Sequence, residues 1–169
     1  MALPARNADG LLPPGRHEAT LAEIKVAFVD AFPGSSTRPQ VWERFLRFRT
    51  ALLGVIPVEA QWINGSFVTG VVDPNDVDVV SVVQAGAMNA LDIQTRQAVG
   101  PLIAGHATLA TWGCDSFLIA SYPGTHENFP KYLERRAYWD GWWSKVNPKH
   151  EQYSDPRFLT LSKGYVEIR

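Results

Sequence analysis

Apolar positions change their period several times along the chain, and each change marks an element. Leu21, Ile24 and Phe28 recur at helical spacing behind Thr20 and Glu23, a capping-box pair, so a helix is predicted over about 21–32. The run from Pro33 to Pro39 closes it. Ser36 or Thr37 can cap a second helix that carries Pro39 in its first turn and Val41, Phe45, Phe48 and Leu52 along one face. The period then drops to that of a strand. Residues 59–64 and the Val-rich 76–83 are predicted as strands, and the turn residues Asp73-Pro74-Asn75 favour an antiparallel return between them. Met88, Leu91, Ala98, Val99 and Leu102 restore a helical period, which Gly100-Pro101 should end or kink. A third strand is expected at 114–123 and an aromatic-rich helix from Asn128 to about Val146. The tail from Arg157 alternates like one or two short strands. Residues 10–16, rich in Pro and Gly, read as part of an extended N-terminal arm over 1–16.

With 169 residues, 46% of them apolar and 20% charged, the chain can bury one core, and a single domain over 1–169 is expected. The elements add up to an α+β fold: a small mixed sheet with helices mainly on one face, the aromatic helix covering part of it. A net charge of −1 provides no global positive field for nucleic acid. Cys114, the one cysteine, rules out an internal disulfide and a cysteine-built metal site and suits a reducing, cytoplasmic setting. The first residues carry Pro and Asp where a secretory signal would be apolar, so no export is expected. Residues 97–114 lack Asp, Glu, Lys and Arg, yet their Gly, Pro, His and Thr suit buried protein better than a membrane span. His17, His106, His126 and His150 have no metal-ligand spacing, and the glycine and serine motifs of phosphate loops, dinucleotide folds and serine hydrolases are missing.

The chemistry concentrates between Trp62 and Val80. Alternation sends Asp76 and Asp78 to one side of a strand and Val77 and Val79 into the core. Two carboxylates about 6–7 Å apart repel and raise a pKa unless a cation joins them, and Mg²⁺ is a hard cation that takes carboxylate and phosphate oxygens. Asp115 opens the third strand; if that strand lies beside 76–83, it completes a three-acid cluster of the kind used in two-metal phosphoryl transfer. Gly65 lets a polyphosphate approach the backbone, and the Ser66 hydroxyl and nearby N–H groups can donate to it. Lys163 is a further candidate for phosphate contact, against the commoner role of a solvated surface charge. Arg135 and Arg136 adjoin Tyr138, Trp139, Trp142 and Trp143 and could form a basic aromatic surface. Those four rings cannot share one helix face, however, and packing of most of them on the sheet is the better reading.

The stretch "INGSFVTGVVDPNDVDVV" resembles the nucleotidyltransferase superfamily related to DNA polymerase β, whose signature is a hydrophobic residue, Gly, Gly or Ser, a loop, then Asp-hydrophobic-Asp/Glu-hydrophobic. Gly65-Ser66, the loop 67–75 and Asp76-Val77-Asp78-Val79 fit in order and spacing. Asn64 departs, being polar where the residue before the glycine is hydrophobic, and Asp115 matches by order and strand context alone. The arm "GLLPPGRHEAT" and the ending "KGYVEIR" are also similar to small stand-alone bacterial members. The resemblance implies a minimal nucleotidyltransferase fold in which Asp76, Asp78 and Asp115 hold two Mg²⁺ ions and Asp115 helps activate a hydroxyl. It further implies that Gly65 and Ser66 hold the triphosphate of an NTP, whose nucleoside monophosphate passes to a protein, RNA or small-molecule acceptor. The alternative is a catalytically idle fold serving as a binding module, such as one component of a toxin–antitoxin pair.

Overall fold

In the computed structural model, which describes residues 3–169, the capping box forms: Glu23 N donates to Thr20 Oγ1 and Thr20 N donates to Glu23 Oε2. The helix it opens, α1 (Leu21–Lys25), is short and widens into a π turn over Val26–Asp30 that buries Phe28 and Val29. The second helix, α2 (Arg38–Leu53), has Pro39 in its first turn and buries Val41, Phe45, Phe48 and Leu52 as its spacing predicts. Its cap differs from expectation. No hydroxyl of Ser36 or Thr37 serves; instead Ser35 Oγ accepts from Arg38 N at 3.1 Å, and the Asp73 carboxylate accepts from Ser36 N at 2.7 Å and Thr37 N at 3.3 Å. Asp73 thus ties a distant loop to the positive end of α2.

Five strands, β1 (Gly15–Glu18), β2 (Ala60–Asn64), β3 (Val77–Gln84), β4 (Cys114–Ser121) and β5 (Gly164–Ile168), form one mixed sheet in the order β1-β5-β2-β3-β4. β2 runs antiparallel to both β3 and β5, whereas β1 is parallel to β5 and β4 to β3. Between β3 and β4 the single helix expected over 88–102 is replaced by α3 (Ala85–Asn89) and α4 (Ile93–Val99). Asp92 separates them by capping α4, accepting from Thr95 N at 2.7 Å. A short α5 (Leu109–Trp112) follows. The uncharged stretch 97–114 is not a buried block: Val99, Leu102 and Cys114 face inward, while Gln97, Pro101 and His106 are exposed.

Strand alternation divides the core. Ile63, Val77, Val79, Cys114 and Val166 face α1, α2 and α4, while Trp62, Val80, Val82, Ile119 and Tyr165 face α6 (Phe129–Trp143). Helices therefore lie mainly on one face, as expected, with α6 covering part of the other. Of its four clustered rings, Trp139 and Trp143 pack on the sheet, but Tyr138 and Trp142 are 61% and 58% exposed, so fewer pack there than the sequence suggested.

The N-terminal arm is extended yet built into the fold. Leu11 and Leu12 are buried, and Gly164 N donates to Leu12 O at 3.0 Å. A Cβ on Gly164 would strike the Pro13 carbonyl, so glycine is required for this approach. The tail contributes one strand, β5, preceded by a 3₁₀ turn over Pro156–Thr160. The β2–β3 loop is held from below by Arg38, whose side chain is fully buried. Its guanidinium donates to the carbonyls of Phe28, Phe67, Thr69, Val71 and Val72 and lies 3.6 Å from the Phe32 ring centre.

Candidate functional site

Register builds the site. Asn64 on β2 stands opposite Asp78 on β3, and Asp78 stands opposite Asp115 on β4, giving one row across three strands on the α6 side. Neighbouring strands lie about 4.8 Å apart, so the two carboxylates meet across the sheet as well as along it. β3 begins at Val77, one residue later than predicted, and leaves Asp76 in the approach to the strand. Burial, then the charges of Asp76 and Asp115, push the Asp78 carboxyl up to about 7. Burial also raises Asp76, against the pull of His150 and His106. Asp115 is raised by burial and by Asp76, although His106 Nδ1 lies 3.9 Å from its Oδ2. Its other oxygen, Oδ1, is buried and has no hydrogen-bond partner.

Gly65 supplies the floor. Its φ is +82°, and a Cβ there would collide with Asp78 Oδ2, so no other residue allows the carboxylate to lie over the backbone. Ser66 follows in a 3₁₀ turn to Val68, fixed by Thr69 Oγ1 donating to Ser66 O at 2.7 Å. Gly65→Ala is expected to cost about 2 kcal/mol of stability or more, combining left-handed strain with a displaced carboxylate. A urea titration measures it, and a loss within about 0.5 kcal/mol would show that Asp78 does not need this floor.

Lys163 is no solvated surface charge. It is 5% exposed, and its Nζ donates to Asn64 Oδ1, while Asn64 Nδ2 donates to Trp143 O at 3.2 Å. Burial lowers the lysine to about 8, with Asp78 pulling upward. Asn64, the polar departure in the glycine motif, thus links the lysine, α6 and the carboxylate row. Sequence reasoning gave no role to Asn64, His106 or Arg38. The alternation of Lys163, Tyr165 and Glu167 along the tail was a usable sign that the lysine shares the Trp62 face; Arg38 has no local sign at all.

The donor set fits a hard divalent cation. Three carboxylates are raised, first by burial and, for Asp78 and Asp115, also by a neighbouring carboxylate, and one buried oxygen is unpartnered. Among the described residues no three His, Cys, Asp or Glu side chains form a ready-made cage. The fit is therefore one of charge and donor type alone. A carboxyl raised to about 7 holds its proton in the folded state, a contribution to stability that is lost as pH rises from about 4 to 7. Asp76 and Asp115 share this sign; Lys163 has the opposite one, only above about 8. Metal-free protein is expected to melt lower at about pH 8 than at about pH 5, with Mg²⁺ recovering the difference only at the higher pH. A flat profile in scanning calorimetry would contradict the uncompensated row.

The model of DUF6932, a family of unknown function, matches residues 4–169. The chain belongs to that family. The DUF6932 match takes in the whole site, from Gly65 to Lys163, and both the arm and the tail that pair as β1 and β5. No curated protein and no solved structure matches the chain. Among the described residues no helix is long and apolar enough to cross a membrane.

Proposed function

We propose that this DUF6932 protein is a Mg²⁺-dependent nucleotidyltransferase built on a minimal nucleotidyltransferase fold. One observation carries the reading: a Gly-Ser corner at the end of β2 lies directly under an Asp-x-Asp at the start of β3, with a third aspartate in register on parallel β4. Asp76, Asp78 and Asp115 would hold two Mg²⁺ ions, which supply neutralisation of triphosphate charge. Gly65, whose open side is taken by the Asp78 carboxylate, would offer a phosphate its backbone N–H, and Ser66 can donate to it. Lys163, held by Asn64, places a positive charge behind Asp78. In the transfer, an acceptor hydroxyl oxygen bonds to the α-phosphorus as the bond to pyrophosphate breaks, and the hydroxyl proton passes to Asp115. Such chemistry asks for positioning and charge compensation rather than a reactive side chain. Calorimetric titration with each of the four NTPs is expected to give binding that requires Mg²⁺. Absence of binding by all four would end the enzyme reading.

Lys163 favours a second reading. A buried ammonium coupled to Asp78 is a built-in counter-charge, which suits a catalytically idle fold retained as a binding module, for example in a toxin–antitoxin pair. Metal-independent binding of a partner protein, unchanged by Asp76→Asn, is the result that would favour it.

A further inference from the structure

An open groove of about 610 Å³ lies between β4 and α6. Phe117 and Ile119 line it from the α6 face of β4. Leu118 and Ala120, which alternate to the other face, line it too, so the groove opens on the main-chain edge of the strand. That edge is the outermost of the sheet, and β3 is the strand that β4 pairs with. One rung on it is already filled: Gly105 N donates to Ser116 O at 2.8 Å in an antiparallel bridge, and Ser116 N donates to Thr108 Oγ1 at 3.1 Å. Alternation aims the N–H and C=O of Leu118 and Ala120 the same way. An antiparallel continuation from Gly105 would set residue 103 opposite 118, but the chain turns off there at the end of a 3₁₀ turn, and Ile103 becomes part of the groove wall. Two rungs remain open to an added strand.

The charge of the groove is one-sided. Lys131 and Arg135 line it from α6, both exposed, and no Asp or Glu does so. We propose that an extended acidic peptide docks here, adding as an antiparallel strand at Leu118–Ala120, with its carboxylates on Lys131 and Arg135 and its apolar side chains on Tyr132 and Trp139. Open main-chain rungs alternate N–H with C=O, which a peptide backbone satisfies in full and a phosphate chain, having acceptors only, does not, and the net charge of −1 gives a nucleic acid no general attraction. Phe117 stands two residues, about 7 Å, from Asp115 on the same face. A side chain at the near end of the docked strand, opposite Phe117, is therefore within reach of Asp115 only when it is long and carries a terminal hydroxyl, as tyrosine does. This last step rests on the nucleotidyltransferase reading and names a polypeptide as its acceptor.

The probe is a set of labelled nine-residue peptides whose alternate positions carry Glu in turn with Val or Tyr, so that all of these face α6, with Thr at the positions between, measured by fluorescence anisotropy against the full chain. Binding is expected, at least tenfold weaker when Lys replaces Glu and at least tenfold weaker when alternate amides are N-methylated. Ala120→Pro removes an outward N–H without touching the β3 ladder, and Arg135→Glu changes only an exposed side chain; each is expected to weaken binding at least tenfold. No binding of the Glu peptides, equal binding by folded Ala120→Pro and Arg135→Glu, or displacement of the peptide by a ten-nucleotide RNA would overturn the proposal. Peptide binding without Mg²⁺-dependent NTP binding would remove the transfer reading alone, and NTP binding without peptide binding would remove the groove alone.

Discussion

Asp78→Asn is expected to lower transfer of labelled nucleotide by at least about 10³-fold, the scale seen when one essential charged group leaves a polar active site. The same variant is expected to melt no lower than the parent, and higher at about pH 8. Both outcomes have one cause. The carboxyl sits in the middle of the row, with Asp76 along the chain and Asp115 across the ladder, and burial already drives it toward the neutral form. An amide keeps the shape and the opposition to Asn64 but removes the uncompensated charge, so the fold loses little while the cation loses its central ligand. Unchanged transfer would take Asp78 out of the mechanism. A large drop in melting temperature would instead mean that its charge supports the fold, through Lys163.

Arg38→Met is expected to cost about 3–5 kcal/mol, since each buried acceptor left unsatisfied costs about 1–3 kcal/mol and part of the loop can turn to water, and that is a large part of the 5–15 kcal/mol that holds a typical domain. Methionine fills similar space but donates nothing, leaving five carbonyls from the first helical segment and the β2–β3 loop without their partner. Arg38→Lys is not expected to restore them, because a single ammonium cannot match the planar fork. Urea denaturation gives the stability, and hydrogen exchange at residues 67–72 should quicken selectively. A cost below about 1 kcal/mol would show that the loop satisfies itself with water. Since this loop follows directly on Gly65-Ser66, its loosening links a residue far from the row to the geometry of the site.

Asp76 and Asp78 were legible because a period of two needs no partner strand to be read: the valines between them had to enter the core, so the acids had to leave it. Asp115 was legible only as an acid opening a strand; its exact opposition to Asp78 is a fact of parallel register, which local sequence does not encode. The helix expected over 88–102 failed for a reason visible in the chain, since Asp92 three residues before Thr95 is a cap signal that apolar periodicity overlooks. Asp73 and Arg38 were not visible. Each serves backbone groups brought near by tertiary folding, 36 and 37 residues away for Asp73 and between 10 and 34 residues away for Arg38. Lys163 misled in the usual direction, because a lone lysine near a terminus is ordinarily solvated, and only β5 lying against β2 brings it to Asn64.

The most direct test is a crystal of the protein soaked with Mn²⁺ and a nonhydrolysable NTP. Anomalous density is expected at the carboxylates of Asp76, Asp78 and Asp115, with the triphosphate against Gly65 and Ser66. Nucleotide and manganese both absent from this row, with Lys163 remaining the nearest cation to Asp78, would contradict the assignment of a nucleotidyltransferase site.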